Sequence, residues 1–303
     1  MNLVGRSVLA VTGRSSVRKL FSESAAGRRL SLRFVAGETI DEAVTAAQSL
    51  NDIGAQVSLD HLGEHVTDAP AAVVARDDYL TCLDRIRESG IDANISVKLS
   101  QLGLGLDDDL AVESLDALAV RAADAGTTVT VDMEESEHVE KTVAAFETVQ
   151  TRHGNVGVAV QSYLYRTPAD LDRIVERGGH VRLCKGAYAE PAEVAHQDKD
   201  RVNAAFDTLT RRLMATPGVI PAIATHDDKR INLTKELAEH RTRPWEFQML
   251  YGVRRNLQRS LLDDGHPVRV YVPYGTAWYP YLTRRMAERP ANVAFFVRAA
   301  VGR

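Results

Sequence analysis

The sequence predicts one (βα)8 barrel, and three observations carry that expectation. Eight short apolar or β-branched runs recur along the chain, and segments with helical signals separate them. No Pro- or Ser-rich linker and no shift in composition interrupts the series. Eight strand-helix repeats in roughly 250 residues match the size of such a barrel. The full length of 303 residues would also admit two domains, so the repeat decides and length does not. A doubly wound open sheet is the main structural rival.

Residues 1–53 read as an N-terminal helical arm and residues 54–303 as the barrel. Leu3–Val11 is fairly apolar, but Arg6 interrupts it and the basic residues Arg14, Arg18 and Lys19 follow rather than precede it, so no secretory signal is expected. Through residue 33 the arm carries Arg6, Arg14, Arg18, Lys19, Arg28, Arg29 and Arg33 against the acid Glu23. The plainer reading is a solvated arm; contact with an anionic lipid surface is the alternative. Thr39 stands three residues before Glu42 and ahead of Ile40, Ala43, Val44, Ala47 and Leu50, a capping box opening an amphipathic helix.

The strand candidates are Val57–Leu59, Ile95–Leu99, Thr128–Val131, Val156–Val160, Val181–Cys184, Ala222–Thr225, Phe247–Leu250 and Val268–Val272. Most read as apolar on both faces, as expected of parallel strands covered on each side. Between them, Val73–Glu88 has helical spacing, and Thr167-Pro168-Ala169-Asp170 offers an N-cap, an early proline and an acid in the first turn. Further helices are expected around Leu233 and Leu237 and over Trp278–Glu288. The open-sheet rival in its dinucleotide-binding form needs a glycine-rich turn after its first strand. Gly103-Leu104-Gly105 follows the second strand instead and lacks the third glycine, and no phosphate-binding P-loop is present.

Composition narrows the function. The chain is 45% hydrophobic and 26% charged, ordinary globular values. Lys and Arg number 37 against 41 Asp and Glu, a net charge of −4, so no basic field points to nucleic acid. A small-molecule substrate is expected. The two cysteines, Cys82 and Cys184, are too few for a disulfide framework and fit a reducing cytoplasm. No run approaches the apolar length of a membrane span.

In a barrel the chemistry sits at the carboxyl ends of the strands, and here those ends are polar throughout. In order they carry Asp60-His61-Leu62-Gly63-Glu64, Lys98, Asp132, Gln161, Arg182-Leu183-Cys184-Lys185-Gly186-Ala187-Tyr188, Thr225-His226-Asp227, Gln248, and Pro273-Tyr274-Gly275. One such charge could be a structural ion pair; gathering Lys98, Asp132, Arg182 and Lys185 at one mouth favours a polar ligand. His61-Leu62-Gly63-Glu64-His65 matches a zinc signature in letters, but it follows a strand and contains a glycine where a helix is required, so no metal is expected. Lys98 and Lys185 raise a Schiff-base aldolase as the rival chemistry, and a catalytically silent barrel is the rival from another class. The excess of cations, including Arg284 and Arg285 on the last helix, suits an anionic ligand better. Glu288 shares their helical face, and Tyr274 and Trp278 add aromatic surface nearby.

Taken together, Arg182-Leu183-Cys184-Lys185-Gly186-Ala187-Tyr188, Thr225-His226, Phe247-Gln248-Met249-Leu250-Tyr251-Gly252, Tyr271-Val272-Pro273-Tyr274-Gly275 and Arg284-Arg285-x-x-Glu288 resemble the proline dehydrogenase family. The resemblance runs from about Phe34 to Val297 in the expected order. It implies a distorted (βα)8 TIM barrel that binds FAD noncovalently and oxidises L-proline to Δ1-pyrroline-5-carboxylate by hydride transfer from C5 to flavin N5. It implies Arg182 near N5, cofactor contacts from Lys185, Gly186, Ala187 and Tyr188, and further ones from Asp132, Gln161, Thr225 and His226. Lys98, Arg284 and Arg285 are implied to bind the substrate carboxylate. Tyr188, Leu250 and Tyr274 would pack against the pyrrolidine ring, Glu288 would lie near the amine, and Glu64 would pair with Arg284 as a gate. Ala189 departs from the pattern, since many relatives carry tryptophan there. The chain is similar to monofunctional bacterial members. A membrane quinone as acceptor, a peripheral membrane contact at the inner face and a separate Δ1-pyrroline-5-carboxylate dehydrogenase as partner are implied with it.

Overall fold

Strand formation follows the apolar runs, and closure follows from their pairing. In the computed structural model the backbone is described for residues 31–63 and 65–288, and side chains for residues 31–63 and 65–283. Strands β1 (Gln56–His61), β2 (Ala93–Val97), β3 (Val129–Val131), β4 (Val156–Gln161), β5 (Gly179–Cys184), β6 (Val219–Ala224), β7 (Glu246–Leu250) and β8 (Val268–Tyr274) form a closed parallel barrel in sequence order. The seam is β8 on β1, in register from Gln56 opposite Arg269 to His61 opposite Tyr274. All eight runs expected from the sequence are strands, and the closed ring excludes the open sheet.

Helices cover the outside: α1 (Ile40–Asn51), α2 (Ala69–Ser89), α3 (Asp108–Asp124), α4 (Val139–His153), α5 (Thr167–Arg177), α6 (Lys199–Ala215), α7 (Asp228–Ala238), α8 (Arg255–Asp263) and α9 (Trp278–Glu288). The capping box expected at α1 is formed, with the Thr39 side chain accepting from the Glu42 N–H and Glu42 reaching back to the Thr39 N–H. At α5 the expected cap is different. Arg166 precedes the helix, and the Thr167 hydroxyl instead donates to the Gln161 carbonyl at 2.6 Å, tying α5 to the end of β4. Of the expected arm, residues 31–53 lie on the barrel: Ala36 donates to the Pro273 carbonyl at 2.9 Å, and Ala43, Val44 and Ala47 of α1 are buried. The basic residues before position 31 lie outside the described residues.

One expectation changes. Except in β4 and β6, the strands are not apolar on both faces: Val57, Leu59, Ile95, Val97, Val129, Val131, Val181, Leu183, Phe247 and Met249 pack outward under the helices, whereas the alternating positions of those strands are mostly polar and buried. Ser58, Asp60, Asn94, Ser96, Thr130, Arg182, Glu246, Gln248 and Arg269 line the inside. A barrel interior is usually filled with branched apolar side chains. Here it is a hydrogen-bonded polar core, and that core builds the site.

Candidate active site

Arg182 is the centre of the mouth. Its position on β5 turns it inward, where it is only 4% exposed. Its Nε donates to Gln248 Oε1 on β7 and its Nη1 to Asp132 Oδ1 just beyond β3. Nη1 also reaches Ser96 Oγ at 2.8 Å, Nη2 reaches Ser58 Oγ at 3.4 Å, and the guanidinium lies over the Tyr271 ring, 5.2 Å from its centroid. Burial alone would weaken the charge on Arg182; the Asp132 carboxylate more than offsets it and holds the guanidinium above its ordinary value.

Asp132 is the shared acceptor. The Ser96 hydroxyl donates to it at 2.8 Å, the Tyr271 hydroxyl at 2.7 Å, and the Lys98 ammonium stands 3.7 Å away. Burial pushes this carboxyl up, but the charges of Arg182 and Lys98 together with the Tyr271 hydrogen bond hold it below the usual range. Lys98, 7% exposed, also donates to Asp60 Oδ1 at 2.9 Å. Two cations and two carboxylates are thus buried together. Asp60 Oδ2 finds no hydrogen-bond partner among the described residues, which leaves a buried acceptor at the mouth for a ligand's N–H or O–H.

A second group lies along β4 to β6. The Lys185 ammonium donates to Asn203 Oδ1 at 2.7 Å and Asp227 Oδ2 at 2.9 Å. Gly186 has φ +124°, and a Cβ there would come within 2.4 Å of the Tyr163 ring, so the 185–187 segment lies against that ring only because position 186 is glycine. The Ala187 N–H faces Gln161 Oε1 at 3.3 Å, and Gln161 Nε2 is held by the Glu134 carbonyl at 2.9 Å. Burial pushes the Glu134 carboxyl up, against two hydrogen bonds from Ser100. The Thr225 hydroxyl accepts the Asp227 N–H at 3.1 Å, and His226 Nε2 accepts the Leu250 N–H at 3.0 Å, which places the ring proton of a neutral His226 on Nδ1.

The structure therefore brings together Lys98, Asp132 and Arg182, with Gln161, Lys185, Gly186, Ala187, Thr225, His226 and Leu250 along the same rim. Tyr274 stands apart from them. It lies on the outer parity of β8, stacked on His61 with ring centroids 5.1 Å apart and bonded to Cys82 of α2, whose thiol burial pushes up to about 12. Tyr271, three residues earlier, takes the inward place. The backbone of α9 carries Arg284, Arg285 and Glu288, but their side chains, like Glu64, lie outside the described residues. Ser58, Ser96 and Tyr271 are functional candidates that the sequence does not single out. Their signal is the period of two that they share with Asp60, Lys98 and Arg269. Among the described residues no group of three or more His, Cys, Asp or Glu side chains is placed to hold a metal ion. Both candidate Schiff-base lysines are held in ion pairs, Lys98 with Asp60 and Lys185 with Asp227.

The comparisons agree with this geometry. The family profile described as proline dehydrogenase matches residues 43–298. The chain is 38% identical over 296 residues to proline dehydrogenase 1 of Bacillus subtilis subsp. natto, covering 97% of this chain and 98% of that one. It is 37% identical over 304 residues to proline dehydrogenase of Deinococcus radiodurans, covering 98% and 97%. Among solved structures, proline utilization A from Bdellovibrio bacteriovorus matches 86% of this chain and 33% of its own at a TM-score of 0.81 and 22% identity, which shows the shared barrel. A family profile matched over most of the chain and close to two-fifths identity with these enzymes over nearly the full length, on a closed parallel barrel, make this protein a member of the proline dehydrogenase family and an oxidoreductase.

Proposed function

We propose that this chain oxidises L-proline to Δ1-pyrroline-5-carboxylate with FAD as its cofactor, without covalent attachment. The observation that carries the reading is Arg182, a buried guanidinium locked by Asp132 at the mouth of a proline dehydrogenase barrel. The donor set fits FAD: Arg182 offers fixed positive charge, Gln161 and Thr225 offer amide and hydroxyl groups, and Lys185 with the Ala187 backbone offers a cation and an N–H for a phosphate. Bound there, FAD would supply the two-electron oxidising power that side chains lack.

The protein's part is binding, orientation and charge. Lys98, Arg284 and Arg285 hold the proline carboxylate, and Tyr188, Leu250 and the inward Tyr271 confine the ring. Glu288 is assigned to the amine end of the substrate, and Glu64 to a gate that would pair with Arg284. Asp132 and Asp60 orient Lys98 and Arg182 in a buried site, where fixed charges act most strongly. The substrate gives up a hydride from C5, which carries both electrons, and a proton from nitrogen.

Purified protein is expected to be yellow and to bleach anaerobically on addition of L-proline. Protein that stays colourless after incubation with FAD would overturn the cofactor assignment, and yellow protein inert to proline would overturn the substrate. We propose further that electrons pass to a membrane quinone from a cytoplasmic enzyme lying against the inner face. The basic residues of positions 1–33 support that contact; among the described residues no helix is long and apolar enough to cross a membrane. Hydrolysis of the product gives an aldehyde, which calls for a Δ1-pyrroline-5-carboxylate dehydrogenase as partner.

A further inference from the structure

The polar core does not stop at the mouth. Glu246 and Gln248 sit two residues apart on β7 and so project to the same inner side, and Arg269 on β8 pairs in register with Gln248. Arg269 Nε donates to both Glu246 oxygens, at 2.9 and 3.1 Å, and its Nη1 donates to the Val57 carbonyl at 2.9 Å. Gln248 Nε2 donates to Glu246 Oε1 at 2.6 Å, while Gln248 Oε1 accepts from Arg182 Nε. Glu246 and Arg269 are 3% and 6% exposed and border a cavity of about 590 Å³ at the opposite, amino-terminal end of the strands, with His180, Arg241 and Trp245. They are out of reach of a substrate at the mouth.

We propose that Glu246 and Arg269 are positioning residues for Arg182, acting through the Gln248 amide; this rests on the role given to Arg182 above. An amide has a donor end and an acceptor end, and nothing in glutamine itself chooses between them. An ionised Glu246 only accepts, so the NH2 of Gln248 must face it and the carbonyl must face Arg182. Turned over, the amide would set N–H against N–H at Arg182 and oxygen against oxygen at Glu246, losing both bonds at once. Arg269 makes the choice permanent: burial pushes the Glu246 carboxyl up, and the adjacent guanidinium outweighs that and keeps it ionised. Asp132, Ser96 and Ser58 hold the Nη side of Arg182. Gln248 holds its Nε edge and so fixes the plane of the guanidinium.

The test pairs Glu246→Met/Arg269→Met, which removes both charges and leaves no bare one, with Gln248→Met. In arginine-labelled apoprotein, the Arg182 Nε–H resonance, identified by its loss in Arg182→Met, is expected to exchange with solvent roughly tenfold faster in both variants, as for a donor that has lost its buried acceptor. In the FAD-loaded protein, reduction by proline is expected to slow roughly tenfold with KM within about twofold, and combining all three substitutions adds little, since they act through one linkage. Unchanged Nε–H exchange, or losses that multiply, would overturn the proposal. Should the paired variant not fold, Glu246→Asp carries the same test, because it keeps a charge beside Arg269 but withdraws the acceptor from Gln248. If Arg182→Met is reduced as fast as the parent, the role of Arg182 fails, and the exchange measurement still judges the linkage.

Discussion

Replacing Asp132 by asparagine tests the electrostatic design of the mouth. Asp60 and Asp132 balance Lys98 and Arg182, and the two cations are 7% and 4% exposed. Asp132→Asn leaves one uncompensated cation where water cannot solvate it. Removing one partner of a buried pair costs about 3–5 kcal/mol. Asparagine keeps an oxygen for Ser96 or Tyr271, which places the expectation near ~3 kcal/mol, a large share of the roughly 5–15 kcal/mol that holds a domain folded. The matched control is Asp41→Asn, which breaks the pair with Arg85, where the Asp41 side chain is 75% exposed; solvent screens such a pair, so little loss is expected. Urea unfolding of the two variants beside the parent measures the contrast. Equal losses in both would refute the claim that the Asp132 charge is held by buried cations. The pH dependence has a definite sign. Because the folded state holds Asp132 below its ordinary value, its stabilisation is fully present above the unfolded pKa of about 4 and fades as pH falls through the lower folded value. The gap between parent and variant should therefore persist near neutral pH and close in acid.

Tyr271→Phe removes the 2.7 Å bond to Asp132, an interaction with a charged group worth about 1.5–3 kcal/mol; kcat/KM for proline is expected to fall about tenfold or more. Tyr274→Phe touches the outer packing against Cys82 and should stay within about twofold by the same steady-state assay, and equal effects would refute the inward and outward assignment. Gly186→Ala meets both the positive φ and the Tyr163 ring. It should cost about 1–3 kcal/mol in urea unfolding and weaken FAD titration of the apoprotein; parent-like behaviour in both would show that the segment is not confined. Arg284→Met and Arg285→Met should each raise the proline KM by roughly tenfold or more, the loss of a charge-assisted carboxylate contact, while FAD content stays intact. Loss of flavin in both would move these arginines from the substrate to the cofactor.

Much of the architecture is legible before folding because it is local. The apolar runs propose every strand, and the Thr39/Glu42 capping box forms as its spacing requires. The polar lining was harder to read. Strands of three to seven residues give alternation too few periods to stand out, and small residues such as Ser58, Ser96 and Thr130 pass for neutral filler between valines and isoleucines. Tyr271 and Tyr274 show the same limit. Both flank the end of the last strand, and only their odd separation sends one to the Asp132 carboxylate and the other to Cys82.

The amino-acid order by itself determined the number of strands, the helices between them and the collection of Lys98, Asp132, Gln161, Arg182, Lys185, Thr225 and His226 at strand ends, since propensity and capping act over a few residues. Tertiary structure alone decided who meets whom. Arg182 reaches Asp132 across 50 residues of chain and Gln248 across 66, on strands that are not neighbours in the sheet. Such pairs touch only because closing the sheet points every inward side chain at a common axis, where each buried donor must find an acceptor from whatever strand lies opposite.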